Sequence, residues 1–439
     1  MKLIRHMVFS DIEGGKLLIN TLKGTMLEIS DEVHKIIEDW QHGQISTKTD
    51  FETALLNELD ARGYLMESEA EERRIKDDIL HRLRHAHEKT QASPGIVAFV
   101  LTYDCNFACP YCFLGKGKTG GIVMSDRQID EALDLAGGTQ NVVLFGGEPL
   151  LPKTMPVVRH LVSKTKGKSI GIVTNGYYLV EFYDLLSSAN LGSVMVTLDG
   201  EEKTHDSRRF LAGGGATFGK IMEGIRLYLA GGIPIRVRMN LNKDTLEEGR
   251  RLKTRLLSEF SAYSAIFSLE SGPVFEAKES EKIHMAKELY LDDMEYSIQE
   301  RVRRNGMIGC SYSILDSIAL GRPLLPKYAF CYAHENVMVF DPHGNIYPCL
   351  ACVGVDEFAM GSYCPKKTEF KDNSIRNRNI ESIPECSDCI YSLICGCGCP
   401  LKLKGQGDVM RPSCSSIKDQ IHGRLPVVYQ AMKRMRGVS

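Results

Sequence analysis

Three cysteines fall within eight residues of the stretch LTYDCNFACPYCFLG, which covers residues 101–115. Cys105, Cys109 and Cys112 have the spacing C-x3-C-x2-C, and the next cysteine along the chain is Cys310. A tetrahedral metal site needs four ligands, so this set is one short. A buried thiol cluster, or a zinc site completed from elsewhere in the chain, is the structural explanation. Alternatively, three thiolates on a four-iron cluster leave one iron without a protein ligand, free to bind a small molecule.

The three cysteines follow directly on a predicted buried strand, IVAFVLT at residues 96–102. From there, strand-like apolar runs alternate with helical stretches, which is typical of a parallel α/β sheet. The later strands are predicted at residues 141–145, 169–174, 193–198, 235–241 and 265–270. Six strands are fewer than the eight of a closed barrel, so we predict an α/β fold with a partial (β/α)6 barrel. Such folds place their active sites after the carboxyl ends of the strands, where the cysteines lie.

The cysteine motif resembles the signature of the radical S-adenosylmethionine (SAM) enzymes, C-x3-C-x-Φ-C, where Φ is an apolar residue. Polar and glycine-rich motifs follow the later strands in the order found in that family. Each motif alone is also typical of a turn, and an arginine on a strand is typical of a structural salt bridge. The resemblance implies that SAM contacts one set of residues, namely Tyr111, Gly146, Gly147, Glu148, Pro149, Thr174, Asn175, Asp199, Arg208 or Arg209, Arg238 and Asn240.

The resemblance also implies the chemistry. In this family the amino and carboxylate groups of SAM chelate the open iron of a [4Fe–4S] cluster, here held by Cys105, Cys109 and Cys112. A one-electron reductant such as flavodoxin or ferredoxin reduces the cluster. Reductive cleavage of SAM then leaves a 5′-deoxyadenosyl radical that abstracts a substrate hydrogen. The protein contributes positioning and shielding of these groups.

A second group of cysteines crowds the chain after residue 330. Its spacing is C-x17-C for Cys331 and Cys349, then C-x2-C-x5-C-x3-C over residues 386–399, then Cys414. C-x2-C pairs are common zinc ligands, so a zinc ribbon is the simplest alternative. The full pattern resembles the SPASM extension of radical enzymes that modify peptides and proteins. This resemblance implies two auxiliary [4Fe–4S] clusters, and three clusters in total.

The SPASM resemblance assigns the auxiliary ligands to two sets. The outer set is Cys386, Cys389, Cys395 and Cys414. The inner set is Cys331, Cys349 and Cys399, with Cys310 as the candidate for a fourth ligand, or with that iron left open. The remaining cysteines belong to neither set, and they are Cys352, Cys364 and Cys397.

Residues 1–66 have the pattern of a small module of strands and helices. Two β-prone runs flank a turn at Gly24, Ser30 is placed to cap a helix, and a second helix and a short strand follow. This winged-helix-like order resembles the recognition element of enzymes that modify ribosomally made peptides. Such elements bind a leader peptide as an extra strand. A winged-helix DNA reader and a structural cap are the alternatives, and the absence of a strongly basic character disfavours DNA.

The remaining segments follow from the same patterns. A charged linker helix is predicted over residues 67–95, and the partial barrel covers residues 96–304. A bridging region follows over residues 305–330, and the cysteine-rich SPASM domain covers residues 331–439.

Charge and hydropathy exclude several partners. The formal net charge of −2 gives no reason to expect a nucleic-acid surface, so we predict no nucleic-acid partner. No run of 18 apolar residues exists, so we predict no membrane partner. The first residues lack the apolar core of a signal peptide, which favours a cytoplasmic protein. In that reducing compartment, 14 cysteines favour metal sites over disulfides.

These patterns together predict a radical SAM maturase that crosslinks a ribosomally synthesised precursor peptide, most simply by forming thioether bonds to cysteine. Two alternatives within the same class are carbon–carbon crosslinking of side chains and formylglycine formation on a sulfatase. A zinc-dependent regulator with a winged-helix reader is the alternative from another class. No pattern identifies a catalytic acid or base.

Overall fold

The computed structural model describes residues 1–43, 45–91, 94–114, 121–273, 296, 298–299, 314, 317–318, 320–334, 336–365, 370–403 and 408–437. The chain forms two compact units. The first unit comprises Met1–Lys89, Ile283–Tyr332 and Asn377–Ser439. The second comprises Thr90–Lys282 and Ala333–Arg376.

The first unit begins with small antiparallel sheets and three helices. The strands are β1 (Lys2–Leu3), β2 (Met7–Ile12), β3 (Gly15–Asn20), β4 (Met26–Ile29) and β5 (Leu65–Met66). The helices are α1 (Asp31–His42), α2 (Asp50–Ala61) and α3 (Glu69–Gln91). Strands β2, β3 and β4 pair antiparallel in that order, and β1 pairs with β5.

Local signals in the sequence set these elements. The predicted β3–β4 hairpin is confirmed, and Gly24 in its turn has φ +75°. A Cβ atom on Gly24 would lie 2.2 Å from the carbonyl oxygen of Leu324, so no other residue fits. Ser30 caps α1 as predicted, because its side chain accepts a hydrogen bond from the backbone N–H of Val33. Thr49 begins α2 with a capping box, a start signal that the sequence analysis did not use.

The N-terminal residues share their hydrophobic core with the C-terminal segment of the same unit. Apolar side chains of the N-terminal strands and helices are buried in one cluster with residues of the later segment, among them Ile380, Ile383 and Leu393. The N-terminal side chains of this cluster include Ile4, Leu18, Ile37, Trp40, Leu59 and Tyr64. Residues 1–66 therefore do not bury their apolar faces alone, and the structure does not isolate them as a separate unit.

The second unit contains the six predicted parallel strands. They are β6 (Ile96–Val100), β7 (Asn141–Phe145), β8 (Ser169–Thr174), β9 (Leu191–Thr197), β10 (Ile235–Leu241) and β11 (Phe267–Pro273). The helices between them are α4 (Asp126–Ala136), α5 (Met155–Lys164), α6 (Leu179–Leu186), α7 (Glu202–Arg208), α8 (Phe218–Ala230) and α9 (Leu246–Glu259). Each strand pairs in parallel with the next, so their carboxyl ends lie along one edge. The predicted α/β fold class is confirmed.

Three further strands extend this sheet beyond β6. They are β12 (Val337–Phe340), β13 (Asn345–Tyr347) and β14 (Gly361–Ser362). Strand β12 pairs in parallel with β6, and the other two continue antiparallel. These three strands were not predicted, because strands of two to four residues are too short to show an alternating pattern.

The C-terminal part of the first unit consists of short helices between cysteines. They are α10 (Pro384–Ser387), α11 (Ser392–Cys395) and α12 (Ser415–Lys418), followed by a π-helical turn (Asp419–Arg424) and α13 (Leu425–Met435). None of the helices in the described part of the chain is both long enough and apolar enough to cross a bilayer.

Candidate functional site

The three clustered cysteines lie in the loop that follows β6. The backbone N–H of Ala108 donates to the carbonyl oxygen of Phe210 at 2.9 Å, and that of Ala212 donates to Asn106 at 2.8 Å. These two bonds hold the cysteine loop against the segment after α7. Within the loop, Cys105 and Cys109 are partly buried, while Cys112 is exposed. Hydrogen bonds therefore hold the first part of the cysteine loop, around Asn106 and Ala108, whereas its last cysteine, Cys112, is exposed to solvent.

The glycine pair after β7 packs against the backbone of the cysteine loop. The backbone N–H of Gly147 donates to the carbonyl oxygen of Thr102 at 2.9 Å, and that of Glu148 donates to Asp104 at 2.8 Å. A Cβ atom on Gly147 would lie 2.3 Å from the carbonyl oxygens of both Tyr103 and Asp104. Only glycine permits this approach, which positions the second strand's loop beside the cysteines.

Replacing Gly147 with alanine is expected to displace the cysteine loop, because the new Cβ atom meets backbone atoms. We expect a loss of about 1–3 kcal/mol in unfolding free energy and less iron bound per chain. Gly138→Ala is the matched control, since no atom lies within 4 Å of a Cβ atom there. Denaturant unfolding and iron analysis measure both effects, and a Gly147→Ala protein that behaves like the control would contradict this packing role.

Glu148 links the ends of two neighbouring strands. Its buried carboxylate accepts hydrogen bonds from the N–H of Leu150 at 2.8 Å, the hydroxyl of Thr174 at 2.6 Å and the N–H of Asn175 at 2.7 Å. Burial raises the pKa of Glu148 to about 6, although these hydrogen bonds oppose the shift. Glu148 was predicted to contact SAM, and in this structure it holds the loops after β7 and β8 together.

Asn175 reaches from β8 back to the cysteine loop. Its side-chain N–H donates to the side-chain oxygen of Asn106 at 2.8 Å and lies 3.7 Å from the sulfur of Cys105. Its own side-chain oxygen accepts from the N–H of Tyr177 at 2.9 Å. The structure therefore places the predicted Thr174-Asn175-Gly176 motif directly against the first cysteine.

Tyr111 and Asp199 form the centre of a buried polar cluster. The hydroxyl of Tyr111 donates to the Asp199 carboxylate and accepts from Arg209 Nη1 at 2.8 Å. The guanidinium of Arg208 lies over the Tyr111 ring at 5.0 Å, and Arg208 Nε is 3.6 Å from Asp199 Oδ2. The sequence analysis placed Tyr111 at the apolar position of the cysteine motif and among the residues expected to contact SAM. Its phenol in fact joins the cysteine loop to the end of β9, and both arginines predicted from the sequence lie beside it.

The predicted residues of β10 continue this cluster. The N–H of Asn240 donates to Asp199 Oδ1 at 3.2 Å, and its side-chain oxygen accepts from Arg238 Nε at 3.0 Å. Arg238 also pairs with Glu270 on β11, the structural salt bridge that the sequence analysis gave as the alternative for this arginine. His205 was not predicted, and its Nδ1 accepts from the N–H of Asp199 at 3.2 Å. Burial lowers the pKa of His205 to about 3, so the ring is neutral.

Three buried nitrogen atoms at this site lack a hydrogen-bond partner within the described residues. They are Asn106 Nδ2, Arg208 Nε and Arg209 Nε. Buried donors without partners are costly, and a bound ligand with carboxylate and hydroxyl oxygens would satisfy them. Three thiols, a glycine loop and these donors together fit a cluster with a small polar ligand.

A second carboxylate lies at the start of the cysteine loop and was not predicted. Asp341 follows β12, and its buried side chain accepts from the hydroxyl of Tyr103 at 2.8 Å. The Tyr103 ring also stacks on His343, with 5.6 Å between ring centres. The sequence feature that could have pointed to Asp341 is a polar residue directly after a short strand. Nothing in the sequence indicated that this strand pairs with β6.

The outer cysteine set lies together in the first unit. Cys395 and Cys414 are each within electrostatic range of both Cys386 and Cys389. Cys397, which the sequence analysis left unassigned, hydrogen-bonds to Cys386 and has a φ of +71°. Among the described residues, no three His, Cys, Asp or Glu side chains lie close enough together to hold a single metal ion. A four-iron cluster spreads its thiolate ligands over different irons and needs no such convergence.

The inner set falls on both units, and its ligand assignment stays a prediction. Cys331 and Cys399 belong to the first unit, and Cys349 belongs to the second. Cys349 precedes a short 3₁₀ turn, where its sulfur accepts from the N–H of Ala351 at 3.4 Å. Cys310 lies outside the described residues.

Comparison with known sequences agrees with the geometry of the second unit. Residues 99–254 match the Radical SAM superfamily. An uncharacterised protein of Archaeoglobus fulgidus is 24% identical over 331 residues, which are 72% of this chain and 77% of that protein. The sporulation killing factor maturation protein SkfB of Bacillus subtilis is 29% identical over 34% of this chain. A probable GTP 3′,8-cyclase of Sulfolobus acidocaldarius is 32% identical over 22% of this chain. The matches span about a third of the length of SkfB and of the cyclase.

Two solved structures share the fold. SuiB of Streptococcus suis bound to its precursor peptide SuiA has a TM-score of 0.55 at 16% identity, covering 94% of this chain and 99% of SuiB. The enzyme anSMEcpe, with bound AdoMet and the Kp18Cys peptide, has a TM-score of 0.56 at 18% identity, covering 79% of this chain and 99% of that one. The short matches to proteins of different names leave the substrate open. With the family match over the strands and loops that carry the cysteines, residues 99–254 form a Radical SAM domain.

Proposed function

We propose that this enzyme matures a ribosomally synthesised precursor peptide by linking a cysteine sulfur of the peptide to a carbon atom of another residue. The observation that carries the proposal is the likeness to SuiB, which extends over 94% of the chain to a protein bound to its precursor peptide. SkfB, by its name a maturation protein, supports the same class. Neither relative identifies the peptide that this chain modifies.

Membership of the superfamily implies SAM and a [4Fe–4S] cluster, and we assign the three cysteines of the 105–112 loop as the cluster ligands. When bound, these groups supply a 5′-deoxyadenosyl radical that removes a hydrogen atom from the substrate. The unpartnered nitrogens of Asn106, Arg208 and Arg209 would bind polar groups of SAM. Glu148 would act by holding the two loops that flank the site.

We also assign the C-terminal cysteines to two auxiliary [4Fe–4S] clusters. Thioether formation takes one hydrogen atom from carbon, and one proton and one electron from the thiol. An acceptor close to the substrate must take up that electron, and an auxiliary cluster would serve as this acceptor. A one-electron reductant such as flavodoxin or ferredoxin is the second proposed partner, since each turnover begins with a reduced cluster.

The free edge of the N-terminal sheet is our proposed binding place for the leader peptide. Strand β2 packs against α13, whereas no described strand pairs with the outer side of β4. The backbone N–H of Asn20 donates to the carbonyl oxygen of Thr25. In an antiparallel pair every second residue directs its backbone groups towards the partner strand, so Leu27, which is paired with Leu18, also directs its N–H and C=O towards β3. The backbone groups of Met26 and Glu28 then point outward. An extended peptide can add to these groups as a fourth strand.

Replacing Glu28 with proline is expected to weaken leader binding about tenfold, because the outward N–H is lost and the ring crowds the edge. The Glu28 side chain accepts from Tyr429 at 2.5 Å and Lys433 at 3.1 Å. Glu28→Ala is therefore the matched control, since it loses these contacts and keeps the N–H. Equal leader affinity in the two variants, measured by fluorescence anisotropy with labelled leader, would refute binding at β4.

The function itself is tested with the reconstituted full chain, SAM, dithionite and a short cysteine-containing peptide encoded beside the gene. A thioether lowers the peptide mass by two hydrogen atoms and removes one thiol from alkylation by iodoacetamide. A carbon–carbon crosslink gives the same mass change with all thiols still alkylated. Formylglycine instead reacts with a hydrazide probe. Either of the last two results refutes the thioether proposal within the same class.

A further inference from the structure

Arg378 is a fully buried cation in the cysteine-rich part of the first unit, with 0% of its surface exposed. Its guanidinium donates to the carbonyl oxygens of Cys397 and Arg411 at 2.5 Å each, and it also donates to Val409 and Gly398. Its Nε atom has no hydrogen-bond partner among the described residues. No carboxylate of the described chain forms an ion pair with it.

A buried guanidinium without a counter-ion is expensive, because carbonyl dipoles replace only part of its hydration. The strongest charge interactions of Arg378 are with cysteines, namely Cys397, Cys386, Cys399 and Cys395. Neutral thiols would leave the cation uncompensated. Of these four, Cys386 and Cys395 belong to the proposed outer set, and their thiolates bound to iron would supply the missing negative charge.

A second buried cation approaches the same cysteines from α3. Lys76 is 6% exposed, and its Nζ atom donates to the carbonyl oxygen of Ser387 at 2.6 Å. Ser387 lies between Cys386 and Cys389, and Lys76 is within electrostatic range of both thiols. The nearby Asp388 is exposed and pairs with Arg5, and its charge also stabilises the Lys76 cation, so Lys76 is partly compensated without the cysteines.

The two cations enter from different parts of the chain and meet at one cysteine set. Arg378 precedes the first of these cysteines, while Lys76 lies far before them on a helix of the N-terminal region. Two buried positive charges converging on thiols have one common physical explanation, which is a group of net negative charge between them.

We propose that Arg378 and Lys76 are the counter-cations of a [4Fe–4S] cluster held by Cys386, Cys389, Cys395 and Cys414, and that they raise its reduction potential. A four-thiolate cluster is anionic and gains a further negative charge on reduction, so nearby cations favour the reduced state. This inference rests on the auxiliary cluster of the proposed function. It assigns both residues a role in positioning charge, not in contacting substrate.

A purely structural role makes a different forecast. The four carbonyl contacts of Arg378 would hold residues 397–398 and 409–411 equally with and without a cluster. Removing the cation would then cost the same unfolding free energy in both forms and would leave the reduction potential unchanged. Charge compensation instead predicts a larger cost in the loaded form, since the cation stabilises the cluster only when it is present.

The test uses the full chain with Cys105, Cys109, Cys112, Cys331 and Cys349 replaced by alanine, so that the remaining iron signal belongs to the outer set. Arg378→Gln is expected to shift the reduction potential to a more negative value in an EPR-monitored titration. Arg378→Lys retains the charge with fewer hydrogen bonds and is expected to stay near the parent value. An unshifted potential in the glutamine variant, or equal shifts in both variants, overturns the proposal.

Lys76→Met is the second variant, in case Arg378→Gln does not fold. It is expected to shift the potential in the same direction and to lower the unfolding free energy more in the loaded protein than in the chelated protein. Equal losses in both forms overturn the counter-cation role. Replacing Cys386, Cys389 and Cys395 together with alanine in the same background separates the two failures. Unchanged iron content there refutes the auxiliary cluster itself, whereas lost iron together with unshifted potentials in the Arg378 and Lys76 variants refutes only the role of the cations.

Discussion

Replacing Cys105, Cys109 and Cys112 together with alanine is expected to abolish 5′-deoxyadenosine formation, with or without peptide. Without these three thiols the proposed cluster loses all of its assigned protein ligands, so it cannot be held. We expect the bound iron to fall by about four atoms per chain. Anaerobic assay with dithionite and chromatography of the nucleoside products measures the first effect, and iron analysis measures the second.

The matched control for this variant is Cys364→Ala. Cys364 belongs to the same unit but to neither predicted ligand set. Its replacement is expected to leave iron content and SAM cleavage unchanged. Nucleoside formation that persists in the triple variant, or iron content that stays at the parent level, would contradict the assignment of the three ligands.

Cys389→Ala is expected to separate SAM cleavage from peptide modification. Cys389 belongs to the first unit, whereas the proposed SAM site lies wholly in the second. We expect the peptide product to fall about 100-fold while 5′-deoxyadenosine still forms. The ratio of crosslinked peptide to 5′-deoxyadenosine, measured by mass spectrometry in one reaction, reports this uncoupling.

Cys397→Gly provides the control for the auxiliary assignment. Cys397 lies beside Cys386 with a φ of +71°, a conformation that glycine adopts without strain. Its replacement is expected to keep the product. Loss of product with Cys397→Gly but not with Cys389→Ala would mean that Cys397, and not Cys389, is the cluster ligand. Equal loss of product and nucleoside in Cys389→Ala, in protein that unfolds at the parent denaturant concentration, would refute a separate auxiliary role.

The parallel sheet was predictable because its strands are long apolar runs between turn signals. The predicted ranges 141–145, 169–174 and 235–241 coincide with β7, β8 and β10. Strands β12 to β14 were not predicted, since strands this short do not show an alternation of apolar and polar residues. Their place beside β6 depends on pairing between residues far apart in sequence, which no local pattern records.

The sequence predicted which strand ends carry the residues of the candidate site. It did not predict which hydrogen bonds these residues make. The motif order placed Glu148, Asn175 and Asp199 near the cysteines. It did not indicate that the Glu148 carboxylate binds three donors of the protein, or that the Tyr111 phenol pairs with Asp199. These are hydrogen bonds between different strands, so each depends on the folded arrangement of both partners.

The N-terminal elements were predicted as well, but the partner of their apolar faces was not. Periodicity indicates that a helix such as α1 buries Ile37 and Trp40. It does not indicate which residues cover them. In the structure these side chains share a cluster with Ile380 and Ile383, so deleting residues 1–66 would expose the core of the cysteine-rich segment. Point variants on β4 are therefore the better test of leader binding.

The central claim is that the chain leaves one iron of the first cluster without a protein ligand, and that SAM occupies it. Electron–nuclear double resonance on the reduced enzyme with ¹⁵N-labelled SAM measures this directly. We expect a coupling between the cluster and the amino nitrogen of SAM in the parent protein. A reduced cluster with no such coupling at saturating SAM, or zinc in place of iron at Cys105, Cys109 and Cys112, would contradict the account.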